Sequence, residues 1–551
     1  MIILFEEYIY PCSLIEQFID EQYFTVKLTK NEAKIPYVGY FYNSNPKIKD
    51  SVFILPKVFI INGKAFGEYK PEDIIDVQKI YNQNIKAIIY NLSIWIYQSI
   101  ARYSKRNQYS TIVQNEQIQN VFSYKGDDAQ TYLDIILQLL LFHKEYKNLF
   151  TYISIINQSG NNKIHWTKTI NKCNPLIHNN KPFYFDFQNK NKSINFDEEI
   201  IVLFYSVLDF LKNKYNFKTA SNLNYALIPT YKIESMIENG KGRRFLRSIR
   251  RKYYTDELVL LWKLLFVFFD KAEKIYNKGK KHKELLLVKD FNIVFEDMID
   301  QLIGDKDLPA KLKEQKDGKQ IDHIYKDKSL IDEQNLIYFI GDSKYYKEEN
   351  QIGEHSIYKQ FTYAKNVIQF NIDLFNDGKN IEPLRYRDEL TEGYNITPNF
   401  FIRGVVDKDD FSMNEVKLHK EETVKNPINV HFKNRLFDRD TLILQEYDIN
   451  FLFVLSAYVS NSDNQSFKQK VRKIFRDDLI SVFKLKYNFY KIAPNNMSEF
   501  VEKYFRLLNG KIYRANDNDD FLWLALEKPT DDSNLLSRIT SDCTILSSAL
   551  A

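Results

Sequence analysis

Cysteine is nearly missing from this chain. The three among 551 residues, Cys12, Cys173 and Cys543, lie too far apart in sequence to suggest a disulfide framework or a thiolate metal cage. The eight histidines do not fall at zinc-ligand spacing either. Glycine and proline are scarce, at 16 and 14, which argues against a repetitive, turn-rich β architecture. No G-x-x-x-x-G-K-[ST] run occurs, so nucleotide hydrolysis of the P-loop kind would have to come from another polypeptide. Long apolar runs are absent as well. The longest, 258–269 (LVLLWKLLFVFF), is twelve residues with Lys263 inside it, which fits a buried helix better than a membrane span. Residues 1–10 (MIILFEEYIY) carry two glutamates and no basic stretch, unlike a secretory signal. A cytoplasmic protein with no membrane contact is expected. The net charge of +5 gives only a weak pull towards nucleic acid, so local clustering matters more.

What is present is enough apolar and aromatic residue, 44% and 15%, to build several cores. The pattern predicts a multidomain α/β protein. Residues 1–115 read as a β-rich N-terminal domain with a helix: 35–43 and 51–67 are strand-like, and Asn62-Gly63 is a hairpin turn signal. Residues 116–283 read as a mainly helical middle domain, with helices near 128–150, 197–214 and 255–279, a polar turn at 159–162, a loop tip at 189–193 and a basic boundary at 278–283. Residues 284–510 read as a mixed-sheet domain, including strands or buried segments at 399–406 and 448–459 and a charged amphipathic helix at 466–485. Residues 511–551 form a C-terminal extension whose last part, 528–551, is weakly patterned.

The chemistry concentrates at 320–346, QIDHIYKDKSLIDEQNLIYFIGDSKYY. The apolar run 336–340 predicts a buried strand that delivers Asp342-Ser343-Lys344 at its end. Because strand side chains alternate, Asp342 and Lys344 share a face about 7 Å apart. Asp322 sits on a hairpin-compatible partner strand. Triplets of the form D/E-x-K arise by chance in so charged a sequence; the leading apolar strand and the acidic partner single this one out. Two carboxylates beside a lysine suit metal-assisted phosphodiester hydrolysis, with the acids holding Mg²⁺ and the lysine steadying developing charge.

The flanks match. Val288, Phe291, Phe295, Met298, Ile299 and Leu302 form a helical stripe over 288–302, with Glu296 at its edge. Ile357, Phe361, Ala364 and Ile368 form another, carrying Gln360 and Tyr363 three residues apart. Residues 347–354 between them read as a polar loop. Further upstream, 241–252 (KGRRFLRSIRRK) gathers Lys241, Arg243, Arg244, Arg247, Arg250, Arg251 and Lys252 without one carboxylate, either a phosphate-tracking face or a solvated one.

The D…(D/E)xK arrangement resembles the PD-(D/E)xK nuclease superfamily, although Ile321 stands where that pattern has proline. The ordered set 37–43 (YVGYFYN) with 55–57 (LPK), 163–170 (KIHWTKTI), Phe295-Glu296, Asp322 with 341–346 (GDSKYY), and 357–364 (IYKQFTYA) is similar to the LlaJI group of McrC-like restriction endonucleases. The 163–170 island has a plainer reading as a strand with Ile164 and Trp166 in the core and Thr167 and Thr169 exposed. The resemblance implies a restriction-endonuclease-like nuclease domain and a Mg²⁺-dependent endonuclease, with Mn²⁺ as a substitute. It implies a metal site of Asp322, Asp342 and Glu296, with Lys344 catalytic and Gln360 and Tyr363 bordering the site. It also implies double-stranded DNA and a McrB-like AAA+ GTPase subunit as partners in an anti-phage restriction system. A self-sufficient type II endonuclease and a non-cutting DNA-binding scaffold are the alternatives.

Overall fold

The computed structural model describes residues 1–551 except 28–30, 44–50, 108–112, 116–131, 148, 158–162, 216–223, 277–282, 315–319, 347–351, 379–383, 407–415, 419–431, 461–464, 529–531, 548–549 and 551. The turn at 159–162, most of the boundary at 278–283, the start of the helix near 128 and most of the loop at 347–354 fall outside the described residues.

The N-terminal strands do not form a sheet by themselves. Ile2–Phe5 pairs in parallel with Ser51–Leu55, which pairs antiparallel with Val38–Asn43. The next strand, Lys283–Val288, returns from some 240 residues later and is followed at the edge by Val113–Asn115. The return is a run of apolar side chains, Leu285, Leu286, Leu287 and Val288, all buried. Val288 therefore ends a strand opposite Val38, and the helix expected to begin there starts at Phe291. Gly39 makes the close pairing possible: its φ is +138°, and a Cβ there would collide with the Leu286 carbonyl. Helix Gln83–Arg106, capped by Asn82, packs on this sheet.

A helical middle region, Tyr132–Glu145, Glu199–Tyr215, Thr230–Glu238, Lys241–Ile249 and Asp256–Tyr276, closes around its own apolar cluster centred on Phe204, Leu261 and Phe268. Between its first two helices lie two small antiparallel pairs, Tyr152–Asn157 with Asn189–Ile194 and Leu176–His178 with Lys181–Phe183. Residues 189–193 are thus strand, not loop tip: pairing across 152–157 satisfies their backbone despite the polar sequence. The 163–170 segment is not a strand either. Helix Trp166–Lys172 begins there, with His165 Nδ1 accepting from the Lys168 N–H at 3.4 Å. Trp166 lies exposed, whereas Thr169 is buried and its hydroxyl accepts from the Gln188 N–H at 3.0 Å.

The sheet beyond is mixed. Its order is His323–Lys328, Leu336–Lys344, Thr397–Val405, Leu442–Asn450, Val416–Leu418; the central three are parallel and the outer two antiparallel to them. Helices Phe291–Ile303 and Glu354–Asn376 pack on it. The segment 448–459 divides at Asn450, whose side chain accepts from the Leu452 N–H at 2.9 Å and starts helix Phe451–Ser460. Within the weakly patterned end, helix Asp532–Ile539 buries Ile539, and Cys543–Ser547 adds a strand to Tyr487–Pro494. The chain is a multidomain mixed α/β protein.

Gly341 sets the depth of the central strand. An added Cβ would overlap the Phe400 ring, which is itself wedged at 4.8 Å from Phe475. Gly341→Ala should cost about 1–3 kcal/mol by overpacking; urea unfolding with an unchanged midpoint would contradict this packing.

Candidate active site

Strand Leu336–Lys344 is buried along nearly its whole length and carries Asp342 and Lys344 into a place almost closed to water. A charge there needs a partner, because desolvation penalises each ion separately. Lys344 Nζ pairs with Asp342 Oδ2, and the ammonium also lies 5.0 Å from the centre of the Phe401 ring. The hairpin register, His323 opposite Gly341, continues to set Asp322 across from Asp342. Asp322 Oδ2 accepts from the Ser343 N–H at 3.2 Å, which fixes that carboxylate against the strand end.

Two helices complete the cluster. Glu296, from Phe291–Ile303, is pushed up to about 7 by burial and by the Asp342 charge, against the pull of the Asn292 amide, Lys359 and Lys344. Asp322 is likewise raised to about 7, first by burial and then by Asp342 and Glu296. Three acids therefore share one poorly solvated region, where burial first and mutual repulsion second leave two of them reluctant to ionise. From helix Glu354–Asn376 comes a residue that sequence reading passed over. Lys359 Nζ lies 3.8 Å from Asp342 Oδ1 and 5.3 Å from the centre of the Tyr363 ring. Burial alone would lower this ammonium, but Asp342, the Tyr363 hydroxyl and Asp322 outweigh it and hold it above its ordinary value. A signal was available: Lys359 is four residues before Tyr363 and so shares its helical face.

The fold brings Asp322, Asp342, Lys344, Glu296 and Tyr363 together, the last through its electrostatic contact with both aspartates. Gln360 stands one step back. Its Nε2 donates to the Ile340 carbonyl at 3.1 Å, fastening the helix to the central strand. Behind Asp322 and Asp342 a line of polar groups that the sequence did not suggest runs through the core. His323 Nε2 is 2.5 Å from Ser343 Oγ, its Nδ1 is 3.6 Å from Asp300, and Asp300 accepts from Lys313 at 2.7 Å.

The basic run 241–252 lies on the helical middle region, and neighbouring helices supply the carboxylates that its own sequence lacks. Arg243 forks onto Asp270 and Glu273 at 2.7 Å, and Lys252 pairs with Glu199. Arg244 donates to the Asn239 carbonyl at 2.8 Å, while Arg247 and Arg250 lie over Phe266 and Trp262. Lys241 and Arg251 are exposed.

The acid cluster fits a hard divalent cation in donor chemistry. Its ligating atoms are carboxylate oxygens, the acids lie close enough for Asp342 to raise the other two, and Asp342 Oδ2 lacks a well-aligned hydrogen bond. As the side chains stand, no three acid, histidine or cysteine groups among the described residues close on one point. Lys344 and Lys359 take the neutralising role instead, so ion binding requires the carboxylates to turn towards each other.

No family model matches the chain, and no curated protein matches it. Among solved structures, it is similar to a half-complex from a tetradecameric assembly of Thermococcus gammatolerans McrB AAA+ hexamers with bound McrC, at 12% identity and a TM-score of 0.28. That match covers 86% of this chain and 99% of the other. A superposition so loose supports no conclusion about fold or activity.

The raised acids have a thermodynamic consequence. Their folded values lie near 7 and their unfolded values near about 4, so without divalent ions stability is lost as pH rises from about 4 to 7. Asp322→Asn removes one share of this penalty. In EDTA its Tm should overtake the wild type increasingly between pH 5 and pH 8; parallel Tm curves would show that Asp322 is not held in this environment.

Proposed function

We propose that this chain is a Mg²⁺-dependent DNA endonuclease of the PD-(D/E)xK type, acting as the nuclease subunit of a McrBC-like restriction system. One observation carries the reading: Asp342 and Lys344 end a single buried strand, with Asp322 immediately before the adjacent strand and Glu296 entering from a helix. Mg²⁺, with Mn²⁺ as a substitute, would be held by Asp322, Asp342 and Glu296 and would supply the positive charge that polarises phosphate and water.

The rest is work for this chain's own groups. Lys344 is the ammonium nearest Asp342, on the same strand face; freed from the carboxylate, it can donate to an attacking water or to a phosphate oxygen as charge develops. Lys359 is a second cation on the opposite oxygen of Asp342, placed to take a non-bridging phosphate oxygen. Gln360 keeps that lysine's helix in register with the strand. Strand burial excludes competing water, which strengthens each of these contacts.

The partner-dependent form of the reading draws on the middle region. The two small strand pairs and helix Trp166–Lys172 present Trp166, Ile177 and Phe185 at 54%, 72% and 76% exposure. None of these three belongs to an apolar core among the described residues. Exposed apolar residues gathered on one small module suit a protein docking surface. The chain has no Walker A run, so a separate AAA+ GTPase is the partner proposed for it.

Asp342→Ala and Asp322→Ala should each abolish Mg²⁺-dependent nicking of supercoiled plasmid, and Lys344→Ala should do the same. Gln360→Ala loosens the helix behind the site and should slow cleavage about 10–100-fold, and Glu296→Ala, which removes the helix-borne ligand, should lower the rate less than loss of either aspartate. Undiminished nicking by either aspartate variant would remove the site from the chemistry.

A further inference from the structure

Beside the acid cluster the molecule has a cleft of about 570 Å³, formed between the N-terminal sheet and the start of helix Phe291–Ile303. Lys57, Lys289 and Asn292 are among its lining residues. Asn292 donates to Glu296 Oε1 at 3.4 Å, so the cleft begins one hydrogen bond from a proposed metal ligand. The cleft is also tied to the catalytic strand. Tyr345, the residue after Lys344, donates to Glu6 Oε2 at 2.5 Å, and the Lys57 N–H reaches both that carboxylate oxygen and the Tyr345 hydroxyl oxygen at 3.1 Å. The Lys57 ammonium lies 4.9 Å from the centre of the Tyr345 ring.

We propose that this cleft is the track for the DNA backbone on one side of the cut, with Lys57 and Lys289 contacting successive phosphates. The proposal rests on the nuclease reading and adds to it a substrate-binding role for the N-terminal sheet.

Charge supports it. Three carboxylates line the cleft, but two are already committed. Glu6 accepts from Tyr345 and the Lys57 N–H, and burial raises its carboxyl, against the nearby Lys57 charge. Glu7 is paired with Lys34 at 2.6 Å. Asp290, exposed at the start of the helix, is the third. Among the described residues neither lysine ammonium forms an ion pair, in contrast to Arg243 and Lys252 of the basic run. Two lysines lining one cleft beside the reacting centre suit a polyanion that must pass that centre and continue beyond it.

The test compares the full-length wild type with Lys57→Gln/Lys289→Gln and with Lys57→Arg/Lys289→Arg. Glutamine keeps an apolar stem over Tyr345, and arginine keeps the charge. Binding of a fluorescent duplex in Ca²⁺ is measured across a salt series, and plasmid cleavage in Mg²⁺ is measured alongside. The glutamine pair should flatten the log–log salt slope by roughly 0.9 for each phosphate no longer neutralised and raise KM more than it lowers kcat. The arginine pair should restore the slope. If wild type binds and cuts while the glutamine pair keeps the same slope and KM, the track is wrong and the nuclease reading stands. If wild type binds duplex but does not cut, a flattened slope supports the track and the nuclease reading fails. Absence of duplex binding by wild type overturns both.

Discussion

The organising constraint is electrostatic: three carboxylates lie near one another at the buried end of one strand pair, where water screens them poorly. Burial first, and the Asp342 charge second, raise Glu296 and Asp322 to about 7, so each is only partly ionised at pH 7, while Asp342 is matched by two lysines. Such a cluster is a poor stability device. Replacing it with apolar side chains would remove a desolvation cost without breaking the sheet, so its presence argues for work that needs negative charge in a dry place. A divalent cation would relieve the repulsion, and the released lysines would then face whatever anion the cation attracts.

Much of the surrounding fold keeps that cluster in place. The Asp322 strand is bolted to the Asp342 strand by backbone pairing, by the Ser343 N–H on one side and by His323 against Ser343 on the other. Gln360 ties down the helix bearing Lys359. The N-terminal sheet reaches the same strand end through Glu6 and Tyr345, and one apolar cluster runs from Phe59 across Phe451 to Phe295. An event at the N-terminal sheet therefore has a short physical route to the residue beside Lys344.

What was legible in the sequence was what depends on local pattern. A continuous apolar run revealed the strand that ends in Asp342-Ser343-Lys344, and period-3.6 stripes revealed the helices that carry Glu296, Gln360 and Tyr363. Contacts that require distant segments to meet left no such trace. Nothing in KELLLV indicates that it pairs with 38–43, and the carboxylates that neutralise Arg243 come from a helix nearly thirty residues on. Glu6, a glutamate in an apolar N-terminal run, gave no sign that it would clasp Tyr345. The 163–170 segment misled because it is rich in β-branched residues, whereas the His165 cap and the buried Thr169 hydroxyl favour a helix.

The most direct test of the central claim is an anomalous difference map from crystals grown with Mn²⁺. The account predicts one strong peak bounded by the carboxylates of Asp322, Asp342 and Glu296, with Lys359 displaced from Asp342. Manganese bound elsewhere, or both lysines still seated on Asp342 at saturating Mn²⁺, would contradict it.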